Sequence, residues 1–438
     1  MFGAASSALR VGGARRLVLI GVALVSIAAA TAAALLLVGS DDQSSGEVVP
    51  AGNATPRLPA GDATGVEVTG GAPRQPSTLD WSRSLEDGSD AGGASSDRAG
   101  RMNSVSAGGP GLVAVGEEGF DAAVWVSEDG AAWSRVPPED ALLGGADDPW
   151  ERMMSVTRFG TGLVAVGFAE DAATGLGAAV WTSADGVRWA RVLDDEAALG
   201  GPGGQTMLSV TAGGPGLVAV GWDQPLGRDA AVWTSADGVS WSRVEHDDAV
   251  FGGLGYQSMS AVIAGGPGLV AVGRDRTGPV VWTSPDGAEW TRITPETAAD
   301  IFGPGTGLSG RMNSVTAVGP GLVAVGTSGS DAAAWASEDG ITWVRAPYDE
   351  AVFGGEGLQE MRSVVPGGLG VVAVGADGAN AAVWTSVDGG TWARTTRDAA
   401  SAIDALSMES VTAGEVGLVA VGAERSLGSF SIAAWTSP

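Results

Sequence analysis

One pattern recurs seven times between Met102 and the end of the chain, at intervals of about 51 residues. Each full copy is a close variant of Met-x-Ser-Val, Gly-Leu-Val-Ala-Val-Gly, Ala-Ala-Val-Trp-Thr-Ser and Asp-Gly-x-x-Trp-x-Arg, in that order. The copies begin at Met102, Met153, Met207, Met259, Met312, Met361 and Met408. A repeat of this length with four strand-like segments is typical of one blade of a β-propeller. The sequence therefore predicts an all-β, seven-bladed propeller of four-stranded antiparallel blades.

The two ends of the repeat region are irregular in complementary ways. The seventh copy reaches Trp435 without a fourth strand, whereas an additional copy of that strand, Leu79 to Arg83, precedes the first blade. A propeller joins its first and last blades so that no sheet edge stays free. We therefore predict that the segment 78–83 completes the last blade by strand exchange, and that the propeller domain spans residues 78–438.

Composition limits the chemistry that the chain can perform. It contains no cysteine and a single histidine, His246, so disulfides, thiolate metal sites and a cysteine nucleophile are excluded, and a zinc site or a Ser-His-Asp relay has few candidates. The net charge of -27 argues against nucleic acid as a partner, because phosphate backbones are bound by basic surfaces. We expect no cofactor and no metal.

The amino-terminal region predicts a membrane anchor. Residues 17–38 carry no charge and are long enough to cross a hydrocarbon core of about 30 Å as a helix. Three arginines precede this segment (Arg10, Arg15 and Arg16), which places residues 1–16 in the cytoplasm and the rest outside the cell. Residues 39–77 are rich in Gly, Pro, Ser and Thr, and predict a disordered extracellular linker. The alternative is a signal peptide that is cleaved to release a secreted protein.

A short motif links the third and fourth strands of six copies. It reads Ser-x-Asp-Gly-x-x-Trp, with its aspartates at Asp129, Asp185, Asp237, Asp286, Asp339 and Asp388, and its tryptophans at Trp133, Trp189, Trp241, Trp290, Trp343 and Trp392. The motif resembles the Asp-box of the bacterial neuraminidase repeat, found in sialidases and in many non-enzymatic propellers. In that family one residue usually separates Asp from Gly, whereas here Gly follows Asp directly.

We interpret these motifs as structural turns. An Asp carboxylate accepts hydrogen bonds from the backbone N–H groups of its own turn, and the Trp buries a large surface beside it. Calcium would need six to eight oxygens around one ion, and one Asp per blade does not bring them together. The resemblance likewise implies hairpins that lie away from a catalytic face.

The opposite face is built by the connections from strand two to strand three and from strand four to the next blade, where a ligand site is expected. These connections are acidic, and several end in an apolar residue followed by Gly-Gly, as in Leu143-Gly144-Gly145, Leu199-Gly200-Gly201, Phe251-Gly252-Gly253 and Phe353-Gly354-Gly355. We expect the apolar residue to close the top of its blade and the acids to form a solvated rim.

A sialidase-like site would imply three arginines for a substrate carboxylate and a Tyr nucleophile paired with Glu. Arg101, Arg152 and Arg311 precede the Met of their first strands, and these strands line a propeller axis. The two tyrosines, Tyr256 and Tyr348, lie in the upper connections, and Tyr348 with Glu350 is the candidate nucleophile pair. The Arg-Ile-Pro motif of the family is absent. These six residues are the candidate binding residues of a central funnel, and no catalytic residue is assigned.

Three functions are consistent with the sequence. The first is a membrane-anchored extracellular propeller that binds a protein or a glycan without catalysis. The second is a sialidase-like glycoside hydrolase, for which the fold alone is no argument. The third is an assembly factor for a membrane complex. We favour the first, because the repeats are regular and an anchor and a linker precede them.

Overall fold

The computed structural model describes residues 79, 81–83, 99–137, 150–171, 175–192, 196–201, 203–224, 228–253, 255–293, 310–368, 370–397, 405–414, 417–426 and 429–437. They form seven four-stranded antiparallel sheets, which are the blades of a β-propeller. The predicted cytoplasmic tail, membrane segment and linker lie outside the described residues. Among the residues that are described, no helix has the length and apolar character needed to span a membrane.

Each of the first six blades takes four consecutive strands, and the seventh takes three strands from the end of the chain and one from its beginning. The strands are β1 Ser82–Arg83; β2 Gly100–Gly108, β3 Gly111–Glu118, β4 Asp121–Ser127, β5 Ser134–Arg135; β6 Glu151–Phe159, β7 Gly162–Asp171, β8 Gly175–Ser183, β9 Trp189–Arg191; β10 Gln205–Gly213, β11 Gly216–Asp223, β12 Asp229–Ser235, β13 Trp241–Arg243; β14 Ser258–Gly265, β15 Gly268–Asp275, β16 Gly278–Ser284, β17 Thr291–Ile293; β18 Arg311–Val318, β19 Gly321–Ser328, β20 Asp331–Ser337, β21 Val344–Arg345; β22 Gln359–Gly367, β23 Gly370–Asp377, β24 Asn380–Ser386, β25 Trp392–Arg397; β26 Ala405–Gly414, β27 Gly417–Ser426 and β28 Ser429–Ser437. Two short helices, α1 (Glu196–Leu199) and α2 (Glu350–Phe353), lie in connections between blades.

The blades pack face to face, so the second strand of each blade is covered on both sides. In β11, Leu217 and Ala219 pack against blade 2, whereas Val218 and Val220 pack against blade 4. All four side chains are fully buried. A strand buried on both faces is apolar at every position, which explains why the Leu-Val-Ala-Val segment does not alternate.

At six of the seven junctions a hydrogen bond joins the first strands of neighbouring blades. The serine of the Met-x-Ser-Val segment accepts from the backbone N–H of the following blade's valine, at 3.2–3.3 Å. The donor–acceptor pairs are Val156–Ser104, Val210–Ser155, Val262–Ser209, Val364–Ser314, Val411–Ser363 and Val105–Ser410. The last pair joins blade 7 to blade 1, so the ring is closed at its inner strands. At the remaining junction the serine is replaced by Ala261.

The amino-terminal strand β1 lies beside the last strand of the chain. Ser82 is opposite Thr436 and Arg83 is opposite Trp435 in an antiparallel pair, and Arg83 forms an ion pair with Glu424. Trp81, directly before β1, is buried in the core of blade 7. Two ladder positions and one buried indole therefore bring the two ends of the repeat region together.

Candidate functional site

The antiparallel blade order gives the propeller two distinct ends. First strands begin and second strands end at the end that carries the connections from strand two to three and from strand four to the next blade. We call this the upper end. The lower end carries the turns from strand three to four, which contain the Asp-Gly motif.

Every first strand contains a β-bulge directly after its methionine. The register shifts between Met102 and Ser104 and at the same point in all seven copies. The methionines are fully buried, whereas the bulge residues are half-buried. These bulge residues are Asn103, Met154, Leu208, Ser260, Asn313, Arg362 and Glu409. A bulge re-aims a side chain, so the residues on either side of each methionine determine the chemistry near the axis.

Four consecutive blades share one network of ion pairs at their inner strands. Arg311 of blade 5 pairs with Glu360 of blade 6, and Arg362 bridges Glu360, at 3.1 Å, to Glu409 of blade 7. Glu409 then pairs with Arg101 of blade 1 at 2.5 Å. The network contains three guanidinium groups and two carboxylates, and all five side chains are largely buried or half-buried.

The ion pairs shift the titration of their members. Burial raises the pKa of Glu360. Together, Arg362 and Arg311 lower it by more than burial raises it, so the pKa of Glu360 lies below its usual value. Burial lowers the pKa of Arg362, whereas Glu409 and Glu360 raise it, and the net direction is upward. Both Glu360 and Arg362 are therefore charged at neutral pH, and every arginine of the network contacts a glutamate, although the network has one more guanidinium than carboxylate.

The third candidate arginine, Arg152, belongs to a different cluster. Its guanidinium contacts Glu117 of blade 1 at 2.5 Å and lies 5.3 Å from the ring centre of Trp150 and 5.7 Å from that of Phe168. The two rings meet edge to face at 5.0 Å. The structure thus brings Arg101 and Arg311 into one network and leaves Arg152 outside it.

The candidate nucleophile is held as a hydrogen-bond donor. The hydroxyl of Tyr348 lies 2.5 Å from Glu350 Oε2 and 3.0 Å from Asp331 Oδ2. The hydrogen bond to Glu350, followed by burial and Asp331, raises the pKa of Tyr348 well above its usual range. A tyrosine flanked by two carboxylates resists forming the phenolate that nucleophilic attack requires. Within the described part of the chain, no hydrogen bond or ion pair joins Tyr348 to the three candidate arginines.

Tyr256, the other tyrosine, lies before β14 at the upper end, and 61% of its surface is exposed. Its backbone forms a parallel bridge with Arg228, ahead of β12. It is thus placed with the strand-two to strand-three connections of blades 3 and 4.

The Asp-Gly turns at the lower end are closed by local hydrogen bonds. Asp237 Oδ1 accepts from two backbone N–H groups of its own turn at 2.7 and 2.8 Å, and Ser235 Oγ accepts from Gly238 N at 2.8 Å. The indole of Trp241 donates to the carbonyl of Gly238 at 3.1 Å. Gly238 has a φ of 79°, which a side chain would strain. The same pattern recurs at Asp129, Asp185, Asp286, Asp339 and Asp388.

The upper connections are held by side chains of the blade that follows them. The Trp282 indole donates to Val250 O at 2.8 Å, and Arg292 donates to Gly252 O at 3.0 Å, while Phe251 between them is buried. The same contacts recur between blades 5 and 6: Trp384 with Val352, Arg394 with Gly354, and a buried Phe353. The expectation that the apolar residue closes the blade top is confirmed at Leu199, Phe251 and Phe353; Leu143 lies outside the described residues.

The sequence analysis missed Glu360, Arg362 and Glu409. Each occupies the position directly before or after the first-strand methionine, the same positions that yielded the candidate arginines. A comparison of these two positions across all seven copies would have revealed the alternating charges. The strand-four arginines that hold the upper connections were present in the repeat pattern but were not assigned a role.

Comparisons with known proteins find solved structures that are similar at low sequence identity. No protein-family model and no curated protein matches the sequence. A Trypanosoma rangeli sialidase in complex with 2,3-difluorosialic acid is 14% identical, with a TM-score of 0.41, over 64% of this chain and 53% of that chain. Sqt1 from Chaetomium thermophilum is 12% identical, with a TM-score of 0.39, over 64% of this chain and 68% of that chain. The chain spans about half the length of the sialidase.

Proposed function

We propose that this chain is a non-catalytic binding module that presents the upper end of its propeller to a protein or a glycan. The observation that supports this most strongly is the internal use of the groups that hydrolysis would need. Arg101 and Arg311 are paired with glutamates of the chain itself, and the Tyr348 hydroxyl is bound by two carboxylates. A substrate carboxylate would have to displace those glutamates, and an attacking phenolate would form against a raised pKa.

Two upper connections, at Phe251 and at Phe353, are suited to recognition because side chains of the next blade already hold them in place. Connections fixed by indole and guanidinium donors lose little conformational entropy on binding, and preorganised surfaces bind more tightly for that reason. In the same proposal, residues 17–38 anchor the chain in the membrane, the Asp-Gly turns are Asp-boxes, and the segment 78–83 closes the ring by completing blade 7.

A binding assay on the full-length chain tests this function. We would screen a glycan array and crosslink the chain to its membrane or extracellular partners, using Phe120→Ala at the upper end and Ile341→Ala at the lower end as a matched pair. Both residues are exposed and apolar. Saturable binding that is lost with Phe120→Ala and retained with Ile341→Ala supports the proposal, whereas equal losses, or no ligand at all, would contradict it.

The hydrolase alternative is supported by one observation, the presence of Arg101, Arg311 and Arg362 in a single network. Incubation of the full-length chain with fluorogenic sialosides separates the two functions. We expect no turnover; turnover that disappears in Arg101→Ala would replace the proposed function with catalysis.

A further inference from the structure

Three arginines lie at the upper end of blades 3 and 4. Arg228 lies ahead of β12, Arg274 near the end of β15, and Arg276 in the turn that follows. Within the described residues none of the three forms an ion pair, although other described arginines along the inner strands and upper connections do pair with carboxylates. The neighbouring acids Asp229 and Asp275 contact His246 and Arg292 instead, so these arginines stand out in a chain with a net charge of -27.

Contacts with aromatic and backbone groups position Arg228 and Arg276. The guanidinium carbon of Arg228 lies 3.9 Å from the ring centre of Trp222. The backbone of Arg228 accepts from Gln257 N at 2.8 Å, which places the exposed Tyr256 beside it. The side chain of Arg276 packs against the backbone at Gly255, where an added Cβ would lie 3.0 Å from its carbons.

The cluster is electrostatically incomplete. Burial, and then the charge of Arg274, lower the pKa of Arg228, so the two cations are close enough to repel each other. The Nε of Arg228 is buried and forms no hydrogen bond with the residues that the structure describes, which costs free energy. An incoming anion bound by the guanidinium groups would relieve the repulsion between them.

We propose that Arg228, Arg274, Arg276 and Tyr256 form a binding site for an acidic segment of a protein partner. Three guanidinium groups on two connections, Arg228 ahead of β12 and the other two around the end of β15, match carboxylates spaced along a peptide, and arginine–carboxylate hydrogen bonds are short and strong. Arg, Tyr and Trp are also the residues enriched at the energetic centres of protein interfaces. Because Arg228 already covers a face of Trp222, that ring is less available for stacking on a sugar, which favours a peptide.

This inference rests on the proposed function in one respect, the use of the upper end for binding. The acidic remainder of the chain repels long polyanions, so the ligand is a short acidic stretch within a larger surface. Binding should weaken strongly with salt, since it depends on exposed or half-exposed charges.

A fluorescence-anisotropy titration of the full-length chain tests the site. The probe is a labelled peptide of eight glutamates, and a peptide of eight glutamines is its uncharged counterpart. We expect saturable binding of the glutamate peptide alone, weakened about tenfold or more in Arg228→Gln and in Arg274→Gln, because charge-assisted hydrogen bonds are lost. Arg158→Gln, at an exposed arginine at the end of β6 toward the lower end, removes the same charge elsewhere and should bind like the parent.

Arg276→Gln should also weaken binding of the glutamate peptide. Because the side chain of Arg276 is exposed and can be changed without disturbing the core, weaker binding by this variant would not be due to misfolding. No binding, or equal weakening in Arg158→Gln, would overturn the site. Displacement of the peptide by inorganic phosphate at equal concentration would instead assign a small-anion site and overturn the peptide. If these variants keep the binding of a partner that Phe120→Ala loses, the proposed function stands and this inference fails.

Discussion

Ser410 in the last blade accepts a hydrogen bond from the backbone N–H of Val105 in the first blade, with 3.3 Å between the two atoms. The residues are separated by 305 positions in the sequence. The same serine-to-valine contact joins neighbouring blades elsewhere in the ring. The junction between blades 7 and 1, which no connecting loop makes, therefore uses the same inner-strand bond as the junctions that loops do make.

Ser410→Ala should lower the free energy of unfolding by about 0.5–1.5 kcal/mol, because one acceptor is removed and the Val105 N–H is left without it. Chemical denaturation of the full-length chain measures the change. Ser106→Ala is the control, since the hydroxyl of Ser106 bonds only the carbonyl of the next residue. Equal stabilities of the parent and Ser410→Ala would show that the contact contributes nothing.

Trp81→Ala should cost about 3–5 kcal/mol, because a large side chain leaves a cavity in the core of blade 7. Deletion of residues 79–83 should go further and expose the edge of β28, which promotes association of copies through unpaired strands. Thermal melting and size-exclusion chromatography measure the two effects. A deletion variant that melts and elutes like the parent would overturn the role of the amino-terminal strand in closure.

The repeat was sufficient to predict the blades because burial on both faces leaves a continuous apolar signal in each second strand. The seven-bladed antiparallel architecture is confirmed by the sheets. The predicted membrane segment and linker stay predictions, as does the choice among ligands. A full repeat contains four strands and three turns within about 51 residues, and because this pattern is local it could be predicted from the sequence.

The network of ion pairs at the inner strands could not be predicted in this way, because its members are far apart in the sequence. Arg101 and Glu409 are separated by 308 positions and meet only because the ring places blade 1 beside blade 7. Glu117 meets Arg152 because a second strand ends where the next first strand begins. These ion pairs depend on single residues that differ between otherwise similar copies. A consensus of the repeats does not show such differences.

Asp237→Asn should reduce stability at neutral pH, and the difference from the parent should vanish in acid. Two backbone hydrogen bonds, from Ser240 and Val239, lower the pKa of Asp237 to about 2. Because this pKa lies below that of the unfolded chain, about 3.9, the unfolded state binds more protons between these values, and the contribution is lost as the pH falls from about 4 to about 2. Thermal melts at pH 7 and at pH 2 measure the difference.

We expect a fall of a few degrees in the melting temperature of Asp237→Asn at pH 7. Glu128→Gln removes one exposed carboxylate from another turn and serves as the control. A deficit of the same size at both pH values would show that the carboxylate charge is not what stabilises the turn.

Arg362→Gln should destabilise the propeller by about 3–5 kcal/mol at pH 7, since it leaves the buried Glu360 and the half-buried Glu409 without the cation they share. Arg362 lowers the pKa of Glu360 more than Arg311 does, so this pKa should rise in the variant relative to the parent, the folded variant should bind the proton more readily, and the penalty should shrink as the pH falls from 7 toward about 4. Denaturation of the parent and the variant at pH 7 and pH 5 measures this. Arg188→Gln, which breaks an exposed pair with Asp185, should change stability by less than about 1 kcal/mol at either pH. A variant whose deficit grows in acid would show that the two glutamates do not depend on Arg362.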